Sequence, residues 1–74
     1  MNWIGDPETD LILSLMDETG VVVLGEVVKD GELSGWNGYD CMIEGERKHV
    51  GFFKSAGQAK VAVASVVHGH KLNA

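Results

Sequence analysis

Few side chains in this 74-residue sequence have the type and spacing that chemistry needs. His68-Gly69-His70, with His49, Cys41 or an acid, could assemble a metal site, because imidazole, thiolate and carboxylate are the usual zinc ligands. Two histidines flanking a glycine match no ligand motif of defined spacing, so they read as polar groups at a helix end. Cys41 sits between Tyr39 and Ile43 at period two, where a thiol facing the core behaves as a small hydrophobe. Asp40 and Glu44, four apart on one strand face, are too far apart along it for an acid–base pair and read as solubilising charges. No Gly-x-Ser-x-Gly elbow, phosphate-binding loop, dinucleotide fingerprint or His-Glu-x-x-His occurs. The expectation is a protein that is not an enzyme and carries no cofactor.

The elements that would position these residues centre on Trp36 to Val67. Trp36–Glu44 alternates as a half-buried strand with Tyr39, Cys41 and Ile43 on one face and Asp40, Met42 and Glu44 on the other. Gly45-Glu46 breaks the run, and Arg47–Phe53 resumes it with β-branched and aromatic residues, as in a short hairpin. Adjacent Phe52 and Phe53 point to opposite faces, which implies that both sides of the sheet are covered. Ser55, three residues before Gln58, has the spacing of a capping box and starts a helix. Ala56, Ala59, Ala62, Val63, Val66 and Val67 form its apolar stripe, and Gly69 marks its end with His68 in the last turn.

Earlier in the chain, Asp6-Pro7-Glu8 resembles a helix start, with an acidic N-cap and proline at the first helical position. Leu11, Ile12, Leu15 and Met16 would be the buried face of a helix over Pro7–Glu18. The competing reading makes residues 11–16 a fourth strand followed by an Asp17-Glu18-Thr19-Gly20 hairpin loop. Leucine and methionine favour the helix. Val21–Val28 is rich in β-branched residues and ends at the turn Lys29-Asp30-Gly31; if Glu26 faces solvent, Val22, Leu24 and Val28 need a cover. The predicted fold is therefore α+β: one domain over residues 1–74, with a three-stranded antiparallel sheet (Val21–Val28, Trp36–Glu44, Arg47–Phe53), the Ser55–His68 helix and an N-terminal helix.

One cysteine excludes an internal disulfide and suits a reducing cytosol. No leader-like stretch precedes the domain, and runs such as Val21–Leu24 are too short to cross a bilayer, so a cytoplasmic location without membrane contact is expected. All eleven acids lie in residues 1–46 and five of the six basic residues lie in 47–74, so the two parts carry −10 and +5. Such asymmetry points to an interaction face.

Trp36–Ile43, His49–Ser55 and Ala56–Ala62 resemble the sheet-and-helix core of the Apetala-type DNA-binding domains and of the arm-binding domains of phage integrases. Those families carry a strand tryptophan, a Gly-x-Phe closing the next strand, and a Ser/Thr-capped, alanine-rich helix. The resemblance implies a similar fold. It departs at the sheet face, where this chain offers Asp40 and Glu44 in place of basic side chains, and nucleic-acid affinity rests on phosphate neutralisation. Nucleic-acid binding through Arg47, Lys48, Lys54 and Lys60 is therefore the alternative. In being short, acidic, cysteine-poor and without catalytic motifs, the chain also resembles the accessory proteins of phages, anti-CRISPR and other anti-defence proteins among them. That likeness implies an inhibitor or modulator of host nucleic-acid machinery, in which carboxylates stand where phosphates would sit. Glu26, Asp30, Glu32, Asp40, Glu44 and Glu46, with Trp36 as aromatic anchor, would supply the face for a protein partner with a basic surface. A homodimer that buries the exposed strand face is the third reading.

Overall fold

The structure, a computed structural model, describes residues 1–43 and 46–72. Five strands, β1 (Asn2–Ile4), β2 (Ile12–Met16), β3 (Val23–Asp30), β4 (Gly35–Asp40) and β5 (Lys48–Phe53), form one antiparallel sheet in chain order, followed by α1 (Ala56–Leu72). The class is α+β, but the expected three-stranded sheet with an N-terminal helix is replaced by a five-stranded sheet with one C-terminal helix.

No helix forms over Pro7–Glu18. Asp6 does cap a turn, its carboxylate accepting the Glu8 N–H at 2.9 Å while its carbonyl accepts those of Thr9 and Asp10, but the chain then extends. The ladder with β3 decides this: Leu13 faces Val27 and Leu15 faces Gly25, burying both leucines, while Ile12, Ser14 and Met16 go to the opposite face. The alternative strand over 11–16 matches in type, as β2, but its four-residue loop does not: Met16 pairs with Val23, so the connection runs over 17–22, where Asp17 accepts the N–H groups of Thr19 and Gly20 and Gly20 adopts φ 74°.

The helix lies across one face of β3, β4 and β5. Ser55 accepts the Gln58 N–H at 3.2 Å, the expected N-cap bond. Ala56, Ala59, Val63 and Val67 are buried against Leu13, Leu24, Val27 and Trp36. Close approach is permitted at Gly25 and Gly38, where a Cβ would run into the Val63 side chain. The helix does not stop at Gly69; it continues to Leu72.

These glycines also set which face of β4 is covered. Trp36, Gly38 and Asp40 face the helix, whereas Asn37 and Tyr39 face away. The period-two grouping of Tyr39 with Cys41 holds, but their side is the uncovered one, so Cys41 is half-buried beside Glu26 and not in the core. Leu24 needs no separate cover. A bulge pairs Met16 with Val23 and Leu15 with Gly25, which turns the extra residue, Leu24, into the core. Phe53 packs on the core and Phe52 is exposed on the other side; the described residues cover the sheet on one side only.

Candidate functional site

The uncovered sheet face has two halves, each fixed by strand register. On β1, β2 and β3, alternation brings Ile4, Ile12, Met16, Val23 and Val28 to one surface, with Ile4 56% and Ile12 49% exposed. On β4 and β5 the same surface carries Asn37, Tyr39, His49 and Phe52, the last 42% exposed and lying over Gly35. No backbone element of the described residues covers this surface.

The polar half is a connected chain of side chains. Arg47 Nη1 lies 3.4 Å from Glu26 Oε1, and its guanidinium sits 4.3 Å over the Tyr39 ring. Tyr39 in turn meets the His49 ring at 5.4 Å between centroids. His49 Nε2 is 2.9 Å from Asn37 Oδ1, and Asn37 Nδ2 donates to Asp30 Oδ2 at 3.3 Å. Because a carboxylate can only accept, Asp30 orients the amide; Asn37 Oδ1 then accepts, so His49 carries its proton on Nε2 and Nδ1 is left as an acceptor when the ring is neutral. Asp30 also accepts the N–H groups of Leu33 and Glu32, and these bonds hold its carboxyl below the usual range. The Tyr39 and His49 rings and the Arg47 guanidinium are thereby linked on one surface, and tyrosine and arginine are among the residue types that dominate protein interfaces.

Cys41 Sγ points to Glu26 Oε1 at 3.6 Å, and partial burial together with the Glu26 charge pushes the thiol up to about 11. That environment disfavours the thiolate a nucleophile requires. Among the described residues, no group of three or more His, Cys, Asp or Glu is arranged to hold a metal ion, and no helix is long and apolar enough to cross a membrane.

The residues expected to form an acidic face do not share one surface. Trp36 is 7% and Asp40 1% exposed, both beneath the helix, so neither is available as a contact. Asp40 is buried because it is paired: Oδ2 lies 2.6 Å from His70 Nε2 and Oδ1 accepts the Met42 N–H at 3.0 Å. Glu26 is half-buried against Arg47, Asp30 is spent on its turn, and Glu32 and Glu46 are exposed in different connections. Glu44 lies outside the described residues. An acidic rim forms elsewhere. Register puts the β1–β2 loop and the β3–β4 turn at the same end of the sheet, gathering Asp6, Glu8 and Asp10 with Asp30 and Glu32 beside Ile12 and Val28.

The basic residues separate as well. Arg47 belongs to the open face, Lys48 and Lys54 flank β5, and Lys60 Nζ lies 5.6 Å over the Trp3 ring on the helix side. Tyr39, Asn37, Phe52 and Ile12 were absent from the sequence-based candidates and His49 stood only among the metal ligands; for Asn37, Tyr39 and Ile12 the signal that could have found them is their odd offset from Trp36 and Leu13, whereas the register shift opposite Gly38 and Tyr39 hides the shared face of His49 and Phe52. Compared with protein-family models, curated proteins and solved structures, the chain matches none.

Proposed function

We propose that this protein is a non-enzymatic protein-binding module whose contact surface is the uncovered sheet face. The observation that carries the reading is a five-stranded sheet with a helix on one side only, leaving Ile4, Ile12 and Phe52 in solvent beside the fixed Tyr39–Arg47 pair. The acidic rim of Asp6, Glu8, Asp10 and Glu32 favours a partner whose apolar patch is bordered by basic groups, through charge complementarity that speeds and orients encounter. Basic surfaces of that kind are built to hold nucleic acid, which makes modulation of nucleic-acid machinery the specific role we infer. Direct nucleic-acid binding is the weaker reading, since Arg47 on the open face, Lys48 and Lys54 along β5 and Lys60 on the helix side form no single patch and Arg47 is already paired with Glu26.

Affinity capture tests the proposal with three baits: the wild-type chain, an Ile12→Lys/Phe52→Lys double variant, and an Asp6→Asn/Glu8→Gln/Asp10→Asn variant. The wild type should retain a specific protein that the double variant loses, while the neutralised-rim variant retains it more weakly and with less salt sensitivity. Equal retention by the wild type and a folded double variant would refute the reading. A solution mass of twice 8.0 kDa, abolished by Ile12→Lys/Phe52→Lys, would assign the face to a second copy instead.

A further inference from the structure

A second surface adjoins the open face. β5 is the last strand of the sheet, so among the described residues its outer backbone edge pairs with no strand, and α1 runs beside it. Between them is a trough of about 680 Å³ lined by Phe53, Lys54, Gly57, Gln58 and Val61, with Phe52 at its lip. Val61 is 69% exposed, unusual for a valine on a helix whose opposite stripe is fully buried. A side chain at Gly57 would meet only Ser55 Oγ, at 3.9 Å, so the helix wall is low where the trough opens.

From this geometry we infer that the trough takes an extended acidic peptide segment of a partner protein, added to β5 as a sixth antiparallel strand. An unpaired strand edge supplies backbone donors and acceptors along one wall, and alternate side chains of an added strand fall into the apolar trough between Phe53 and Val61. Charge selects the occupant. Residues 47–74 include no aspartate or glutamate, and Lys48 opens β5 while Lys54 follows its last residue. A second copy is disfavoured by the same residues: antiparallel β5–β5 pairing centred on Gly51 sets Lys48 against the other copy's Lys54, and like charges directly opposite one another destabilise a sheet. The trough meets the open sheet face at Phe52, so the two assignments are told apart by residues that belong to one surface each, Ile12 on the open face and Val61 in the trough.

The probe is a fluorescein-labelled octapeptide alternating glutamate with leucine, followed by anisotropy and by amide NMR shifts. Saturable binding is expected, with shifts centred on Val50–Phe53 and Gly57–Val61. Replacing the probe's glutamates by lysine should weaken binding at least tenfold, as should Val61→Glu, whose exposed site leaves the fold unchanged by circular dichroism. Lys54→Glu should weaken it several-fold, and Ile12→Lys should leave it unaltered. Absence of saturable binding up to millimolar peptide overturns the inference. Equal affinity for the lysine probe, or wild-type affinity in both Val61→Glu and Lys54→Glu, overturns it too. Self-association of the free protein that Val61→Glu abolishes would give the trough to a second copy, with the same consequence.

Discussion

Replacing Asp40 is the sharpest test of the architecture, because the residue reads as a surface charge on a strand and is 1% exposed in the fold. Its carboxylate makes two bonds, to the Met42 N–H and to His70 Nε2 at 2.6 Å. Hydrogen bonds to a charged group are worth about 1.5–3 kcal/mol each. The His70 side chain is 44% exposed, so water recovers part of what its loss removes, and the lower half of that range applies to this bond. Asp40→Ala should therefore cost about 3–5 kcal/mol, and His70→Ala about 2–3 kcal/mol by leaving a buried carboxylate with one partner. Asp40→Asn keeps the volume and the Met42 bond and should cost about 1–2 kcal/mol. A chain of this length has roughly 4–11 kcal/mol of total stability, so Asp40→Lys, which places an ammonium in a buried site, should prevent folding. Urea unfolding at neutral pH measures the first three and circular dichroism the fourth, and the double variant Asp40→Ala/His70→Ala should show coupling of about 1–2 kcal/mol. An Asp40→Ala cost below about 0.5 kcal/mol, or a folded Asp40→Lys protein, would refute the buried pair.

Two further outcomes follow from the covered and uncovered faces. Gly25→Ala should destabilise by about 1–3 kcal/mol because its Cβ meets Val63, and Val63→Ala in the same chain should recover part of that loss, read as a non-additive shift in the urea midpoint. Cys41 should react with iodoacetamide far more slowly at pH 8 than a free thiol. With the thiol raised to about 11, only on the order of one molecule in a thousand is thiolate there, and the rate should climb roughly tenfold per pH unit up to that value. Glu26→Gln removes an anion that opposes ionisation and should speed the pH 8 reaction; an unchanged rate would contradict the Cys41–Glu26 contact.

Much of the candidate surface was illegible because strand parity has two solutions. Residues 36–41 alternate correctly, yet nothing local distinguishes the side bearing Tyr39 and Cys41 from the side bearing Asp40. An aspartate is ordinarily the solvent-facing choice. The choice is reversed by His70, thirty positions later, and by Gly25 and Gly38, which open a path for Val63.

The sequence by itself determined the features written in local chemistry. Ser55 starts the helix, four of the six stripe residues, Ala56, Ala59, Val63 and Val67, give it a core face while Ala62 and Val66 are half-buried, and Asp30 shapes the turn after β3 with its own carboxylate. Tertiary structure alone decided that residues 12–16 pair as a strand, that β1 joins the edge, that the helix passes Gly69, and that one face of the sheet stays bare. The physical reason is range. A cap or a turn satisfies hydrogen bonds within a few residues, whereas a strand has no partner until another segment supplies the ladder, and which face it buries depends on what packs there.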